Sequence, residues 1–150
     1  MFKNNILLPG VIVLTLILIS MLFIFTTEPE GKKNIEFLIR YGWEVEKEPT
    51  EKAEVFIPEI FDDVYKNYNK LQIEAGLDLT PYAGYKAIRY TYKLKNFPEE
   101  TKSEVFANVL TIDGTPVAGD ICTYALDGFM YSLNFNTKTC FKISDINILE

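Results

Sequence analysis

The longest apolar run of the chain covers residues 6–25, and no charged residue occurs between Asn4 and Thr27. The hydrocarbon core of a bilayer is spanned by about 20 apolar residues in a helix. The pattern therefore predicts a transmembrane anchor over residues 1–27. A cleaved signal peptide and a buried helix of a soluble fold stay open as alternatives, although the end of the run has no small-x-small cleavage pattern.

The polar residues after this run predict a linker and one domain. Residues 28–33 are expected to form the linker, and residues 34–150 an α+β domain large enough for one core. Lysines flank the run on both sides, so the positive-inside rule decides little about orientation. A short charged start followed at once by an apolar run is typical of a signal anchor. We therefore expect a single-pass protein of the cell membrane with its domain on the extracytoplasmic side.

A helical pattern covers residues 34–41 at the start of the domain. Asn34 is a residue that caps helices, and Gly42 is expected to end this one. Trp43 then follows the glycine and is predicted to pack back on Leu38.

A second helical stripe of apolar residues begins at Pro58, a residue favoured in the first turn, and ends at Gly76. The face that carries Tyr65 and Tyr68 is predicted to belong to the core rather than to a ligand site.

Alternating apolar residues predict strands over most of the remaining domain. The strand segments are residues 43–46, 53–57, 85–95, 104–112, 117–126, 129–135 and 139–143. The first two are expected to pair as a hairpin at the sheet edge, and Asp113-Gly114 and Asp127-Gly128 to form hairpin turns. The predicted fold is α+β, with two helices packed on one face of a mainly antiparallel sheet after the transmembrane helix.

The composition excludes several kinds of site. The chain has a net charge of −6 and no histidine. Without histidine it cannot form a Ser-His-Asp triad, a Cys-His pair or a histidine-containing zinc site. An acidic domain also lacks the positive surface that binds nucleic acid. We expect no cofactor, no metal ion and no nucleic-acid partner.

Two cysteines, Cys122 and Cys140, are a candidate disulfide on the oxidising side of a membrane. The alternative is that both are small buried apolar residues.

Two charged surfaces are candidate binding faces. The basic residues Arg89, Lys93 and Lys95 share one face of a predicted strand, which either contacts anionic headgroups or wall polymers or is simply solvated. An acidic rim of five glutamates either holds a cation or is solvated, and it lacks calcium-loop spacing. These residues are Glu44, Glu46, Glu48, Glu51 and Glu54.

Asp120 is an acidic residue that the pattern places near the inside of the sheet. It is in phase with Cys122 and Tyr124, and a carboxylate there has a raised pKa that suits acid–base chemistry. The alternative is an edge or bulge residue beside Gly119. Asp127 would complete a carboxylate pair but already occupies a predicted turn, so we assign no catalytic residue.

Several spaced motifs are similar to those of an uncharacterised bacterial family. They are Tyr41-Gly42-Trp43-Glu44-Val45, Ile57-Pro58-Glu59, Tyr65 with Tyr68-Asn69, Asp78-Leu79 with Tyr82 and Gly84, Arg89-Tyr90-Thr91-Tyr92, Gly119-Asp120-Ile121-Cys122 and Ala125-Leu126-Asp127-Gly128-Phe129-Met130. In this order they resemble domain of unknown function 4830 over residues 34–133, which leaves residues 134–150 as a C-terminal extension. The resemblance implies a small envelope protein of a Gram-positive-type bacterium, often with an N-terminal membrane segment, and it implies no activity.

We predict a non-catalytic, membrane-anchored extracytoplasmic module that binds another cell-envelope protein through an open sheet face or edge. One alternative is a domain that binds a small ligand or a glycan in a cleft lined by Tyr82, Tyr85 and Tyr124. A less favoured alternative is an envelope hydrolase that uses paired carboxylates.

Overall fold

The computed structural model describes residues 30–99, 101–125, 128–135 and 140–142, together with Val13 and Thr15. The helices are α1 (Glu30–Arg40) and α2 (Asp63–Glu74), and a 3-10 turn covers Thr80–Tyr82. The strands are β1 (Glu51–Phe56), β2 (Lys86–Lys93), β3 (Phe106–Ile112), β4 (Thr115–Cys122), β5 (Phe129–Ser132) and β6 (Cys140–Lys142). They form one antiparallel sheet in the order β1-β2-β3-β4-β5-β6. The α+β class, with two helices on an antiparallel sheet, is confirmed.

The two helices cover opposite faces of the sheet, so the prediction that they share one face is wrong. Successive residues of a strand point to opposite faces. α1 contributes Leu38 to the cluster that holds Tyr90 and Ile121, whereas α2 contributes Leu71 to the cluster that holds Cys122. We call these two sides the α1 face and the α2 face. The central strands carry apolar side chains on both faces of the sheet. Each face is therefore buried by packing against a helix.

α1 begins at Glu30 rather than at Asn34, so residues 30–33 are helical and not a linker. Asn34 lies fully buried inside the helix, where its Nδ2 donates a hydrogen bond to Tyr92 Oη at 3.2 Å. Asparagine is favoured at helix starts, but here the buried tyrosine hydroxyl gives its amide a tertiary partner instead.

α1 ends where the glycine predicts. Gly42 has a φ of 85°, which glycine adopts without strain. The Trp43 N–H donates to the Leu38 carbonyl at 3.1 Å, the bond of a Schellman cap. The Trp43 indole N–H donates to the Leu133 carbonyl at 2.8 Å, which ties this cap to the end of β5. Gly76, with a φ of 76°, ends α2 as predicted.

α2 begins at Asp63 rather than at Pro58. Asp62 is its N-cap, and the Asp62 side chain accepts a first-turn backbone N–H at 2.8 Å. Pro58 does not start the helix because the Ile57 carbonyl, which would accept the first intrahelical hydrogen bond, accepts the Gly84 N–H at 2.9 Å instead.

The predicted hairpin between residues 43–46 and 53–57 is wrong, because both segments pair with β2 or its continuation. Val45 forms a single bridge with Leu94, and β1 pairs with β2 along its whole length. β1 is thus an edge strand of the sheet.

The hairpin turn between β3 and β4 is confirmed. Asp113 and Gly114 have φ values of 49° and 69°, as a type I′ turn requires. The other predicted turn residue, Asp127, lies outside the described residues.

The predicted membrane segment also lies outside the described residues, apart from Val13 and Thr15, which are helical. Among the described residues, no helix has the length and apolar character needed to cross a membrane. The anchor therefore stays a prediction.

Candidate functional site

A row of buried polar side chains crosses the α2 face. Thr91, Asn108, Asp120 and Ser132 are neighbours on adjacent strands, and each is at most 4% exposed. Thr91 Oγ1 donates to Asn108 Oδ1 at 2.8 Å, and Asn108 Nδ2 donates to Asp120 Oδ1 at 2.9 Å. From α2, Tyr68 Oη donates to Asp120 Oδ2 at 3.0 Å. We call Thr91, Asn108, Asp120 and Tyr68 the polar cluster.

The cluster encloses its carboxyl group. Burial raises the pKa of Asp120 above its usual value, and hydrogen bonds from Asn108 and Tyr68 oppose that rise. The pKa of Tyr68 is raised well above its usual value, first by burial and then by the charge of Asp120. Both Asp120 oxygens accept hydrogen bonds, and the one from Tyr68 links the carboxyl group to α2.

Cys122 lies beside Asp120 on the same face, as the alternation in the sequence predicts. Asn108 Nδ2 lies 3.2 Å from its Sγ. Burial raises the pKa of the Cys122 thiol well above its usual value. A thiol that keeps its proton is a poor nucleophile, so Cys122 has the character of an inert buried residue.

The candidate disulfide is not made in this arrangement, because Cys122 is a free thiol. Cys140 lies on β6, and β5 separates that strand from β4. Two strand spacings place the two Cα atoms about 9–10 Å apart, whereas a disulfide needs about 4.4–6.8 Å.

The predicted basic face is largely neutralised. Arg89 Nη2 lies 3.1 Å from Glu51 Oε2, and Lys93 is paired with Glu104. Lys95 is exposed. With two of its three cations beside carboxylates, this face offers little net positive charge to an anionic partner.

The three candidate tyrosines do not line one cleft. The rings of Tyr82 and Tyr85 meet at a centroid distance of 6.3 Å just before β2. The ring of Tyr124 contacts Phe106, which pairs with Lys93 at the other end of β2. The 8 residues of β2 correspond to about 25 Å of strand, which separates the two groups.

The acidic rim is divided between ion pairs. Glu51 pairs with Arg89, and Glu54 Oε1 lies 2.8 Å from Lys86 Nζ. In the described ranges, no three acidic or cysteine side chains come together to hold a metal ion.

The outer edge of β1 is an open surface. The hydrogen bond from the Ile57 N–H to the Tyr85 carbonyl sets the phase of the β1–β2 ladder. In such a ladder alternate residues direct their backbone groups to the neighbouring strand. Val55 therefore faces β2, whereas the N–H and C=O groups of Glu54 and Phe56 point away from the sheet. No strand of the described part of the chain pairs with that side.

The side chains along this edge are exposed and of mixed charge. Phe56 is 57% exposed, and Glu51, Lys52 and Glu54 are exposed as well. On the α1 face, Lys52 Nζ lies 4.9 Å from the centroid of the Tyr90 ring. A short edge with outward backbone donors and acceptors is the surface that accepts an added strand in many protein complexes.

Asn108 and Thr91 are the cluster residues that the sequence analysis missed. Asn108 stands between the apolar residues Ala107 and Val109, and a polar side chain in such a strand signals a buried hydrogen bond. The partner is on another strand, however, so its identity depends on the register between strands.

Fold and surface together define a small α+β domain with a buried polar cluster and, along β1, an open strand edge. The chain belongs to the family Domain of unknown function (DUF4830), whose model matches residues 37–121. The match runs from α1 into β4, and the sequence resemblance is thereby confirmed. A comparison with curated proteins and a comparison with solved structures each found no match.

Proposed function

We propose that this protein is a non-catalytic, membrane-anchored module that binds another protein of the cell envelope through the outer edge of β1. The observation that carries the proposal is the set of outward backbone groups at Glu54 and Phe56. A strand from a partner would satisfy these groups and would extend the sheet.

The position of α1 supports attachment to a membrane. The predicted apolar segment ends at Phe25, and α1 begins at Glu30. The residues between them reach at most about 14 Å when extended. A domain on this tether lies at the bilayer surface, where an edge strand meets other envelope proteins.

The buried chemistry supports a non-catalytic role. A general acid or base must come within hydrogen-bond reach of its substrate. Asp120 is 2% exposed and lies under Tyr68, and the neighbouring Cys122 is 1% exposed. These groups are the candidates for chemistry on the α2 face, and the fold uses them for packing.

Photo-crosslinking in membranes tests the proposal. A photoreactive phenylalanine analogue replaces Phe56 in the full chain, and the same analogue at Lys66 is the control, because that side chain is 61% exposed on α2. We expect irradiation to give a heavier adduct from position 56, in the membrane fraction, and none from position 66.

Two results would contradict the proposal. The first is an absence of adduct at position 56, or equal labelling from both positions. The second is recovery of the full chain in the soluble fraction after lysis without detergent, which would remove the membrane anchor from the account.

A further inference from the structure

We infer that the strand added to β1 is the β1 strand of a second copy of this chain, paired antiparallel about Ala53. The inference rests on the proposed function, because it names the partner of the same edge. It follows from the direction of the backbone hydrogen-bonding groups of β1, the charges of its side chains and the position of α1.

The direction of the backbone N–H and C=O groups along β1 restricts the registers in which two copies can pair. Lys52, Glu54 and Phe56 alternate along β1 and direct their backbone groups outward. A symmetric antiparallel pair must set outward residues opposite outward residues. Registers centred on Lys52, Ala53, Glu54 or Val55 meet this condition, and those centred on Ala53 or Glu54 pair the most residues of β1.

Charge and the length of the paired stretch select one of these registers. Centring on Lys52 sets two lysines opposite each other, and centring on Glu54 sets two glutamates opposite each other, which is unfavourable. Centring on Ala53 sets Lys52 of each copy opposite Glu54 of the other. This register also pairs residues 51–55 of the two copies, whereas the registers centred on Lys52 and Val55 pair three residues of β1.

The position of α1 agrees with this symmetry. A two-fold axis perpendicular to the sheet keeps the α1 face of both copies on the same side. The predicted membrane segment directly precedes α1. Both segments therefore leave the pair on one side, as insertion in a single bilayer requires.

Anchoring strengthens a contact of this size. β1 has 6 residues, and a strand pair this short is marginal when both partners diffuse freely in solution. Confinement to one membrane raises the effective concentration of one edge near the other. The experiments that test the β1–β1 pair therefore use the full chain in its membrane.

Cysteine substitution tests the register. In the inferred pair, Ala53→Cys faces its own counterpart in a non-hydrogen-bonded position, with Cα atoms about 4.5 Å apart, which a disulfide bridges. We expect mild oxidation of membranes to convert this variant to a covalent dimer. Val55→Cys is the matched control, because its counterpart lies about 14 Å away along the strand. The unsubstituted chain controls for Cys122 and Cys140.

A second pair of variants tests the backbone hydrogen bonds. Glu54→Pro, added to Ala53→Cys, removes an outward N–H and leaves the ladder with β2 intact. It removes one hydrogen bond from each copy, so we expect dimer formation to fall about tenfold or more. Glu54→Ala removes the same side chain but keeps the N–H, and we expect a smaller loss.

The inference is overturned if Ala53→Cys stays monomeric, if Val55→Cys crosslinks equally well, or if Glu54→Pro has no more effect than Glu54→Ala. A monomeric Ala53→Cys together with a photo-adduct of a different mass at position 56 would reject self-pairing and leave the proposed function standing. If neither experiment gives an adduct, both fail.

Discussion

Asp120 shows how a carboxyl group is accommodated between α2 and the sheet. Burial disfavours its charged form, and the hydrogen bonds from Asn108 and Tyr68 favour that form. Each hydrogen bond to a charged group contributes about 1.5–3 kcal/mol. The pKa of Asp120 is nevertheless raised, so the effect of burial exceeds that of these hydrogen bonds.

This balance predicts the pH dependence of stability at Asp120. The folded carboxyl group keeps its proton to higher pH than the unfolded one, so the folded chain binds more protons above about pH 4 and loses stability as pH rises. Asn at position 120 does not titrate. We therefore expect the wild-type chain to lose stability relative to Asp120→Asn as the pH rises above about 4. Urea unfolding of both proteins across this range measures the difference, and parallel pH profiles would refute the assignment.

Gly119 is a position where no side chain fits. A Cβ there would lie 2.7 Å from the Asn108 carbonyl oxygen and 2.9 Å from Leu133 Cδ1. We expect Gly119→Ala to lower the free energy of unfolding by about 1–3 kcal/mol, because the strands must shift to make room. The control is Gly31→Ala in α1, where the new Cβ would meet Tyr92 Oη at 4.0 Å. That change is expected to stabilise the helix by about 0.5–1 kcal/mol, and a similar loss in both variants would contradict the packing argument.

At the scale of elements, α2 organises the turn that follows it through Asn69. Asn69 is 6% exposed; its Oδ1 accepts the Leu79 N–H at 2.8 Å, and its Nδ2 donates to Asp78 Oδ1 at 2.9 Å. Leu79 is fully buried, so water does not replace this partner.

We expect Asn69→Ala to lower the free energy of unfolding by about 1–3 kcal/mol, because it leaves the buried Leu79 N–H without an acceptor. The neighbouring exposed substitution Lys70→Ala should stay within about 0.5 kcal/mol of the wild type. Urea midpoints at constant slope provide the comparison. Equal midpoints for the two variants would show that the turn does not depend on Asn69.

Helix ends were predictable from sequence and helix starts were not. Gly42 and Gly76 adopt positive φ, a conformation for which glycine is the ordinary choice. Asparagine and proline are common at the first positions of helices but also occur at other positions. Tertiary contacts determine the positions that Asn34 and Pro58 occupy in this fold. The buried hydroxyl of Tyr92 is the partner of Asn34 inside the helix, and the hydrogen bond from the Gly84 N–H to the Ile57 carbonyl keeps Pro58 out of α2.

At the scale of the whole molecule, the fold class followed from alternation and helical stripes, whereas the pairing did not. The segments around Val45 and β1 are close in sequence, yet both pair along the edge formed by β2 and its continuation. A strand pattern shows which residues share a face but not which strand lies beside them. For the same reason Asp120 was identified, whereas its hydrogen-bond donor Asn108 and Thr91, which donates to Asn108, were not.

In the part of the chain that the structure describes, polar side chains are buried between α2 and the sheet, and the outer edge of β1 is open. Both faces of the sheet carry a helix, and the polar cluster is buried beneath α2. We propose that the outer edge of β1 accepts a further strand.

Hydrogen exchange at single-residue resolution tests this claim most directly. The full chain is compared in membrane vesicles from the cells that produce it and in detergent solution. The amides of Ala53 and Val55 face β2 and serve as internal references. We predict that the amides of Glu54 and Phe56 become as protected as these references in the membrane and exchange freely in detergent. Rapid exchange of Glu54 and Phe56 in both conditions, with Ala53 and Val55 protected, would show that the β1 edge has no partner and would contradict the account.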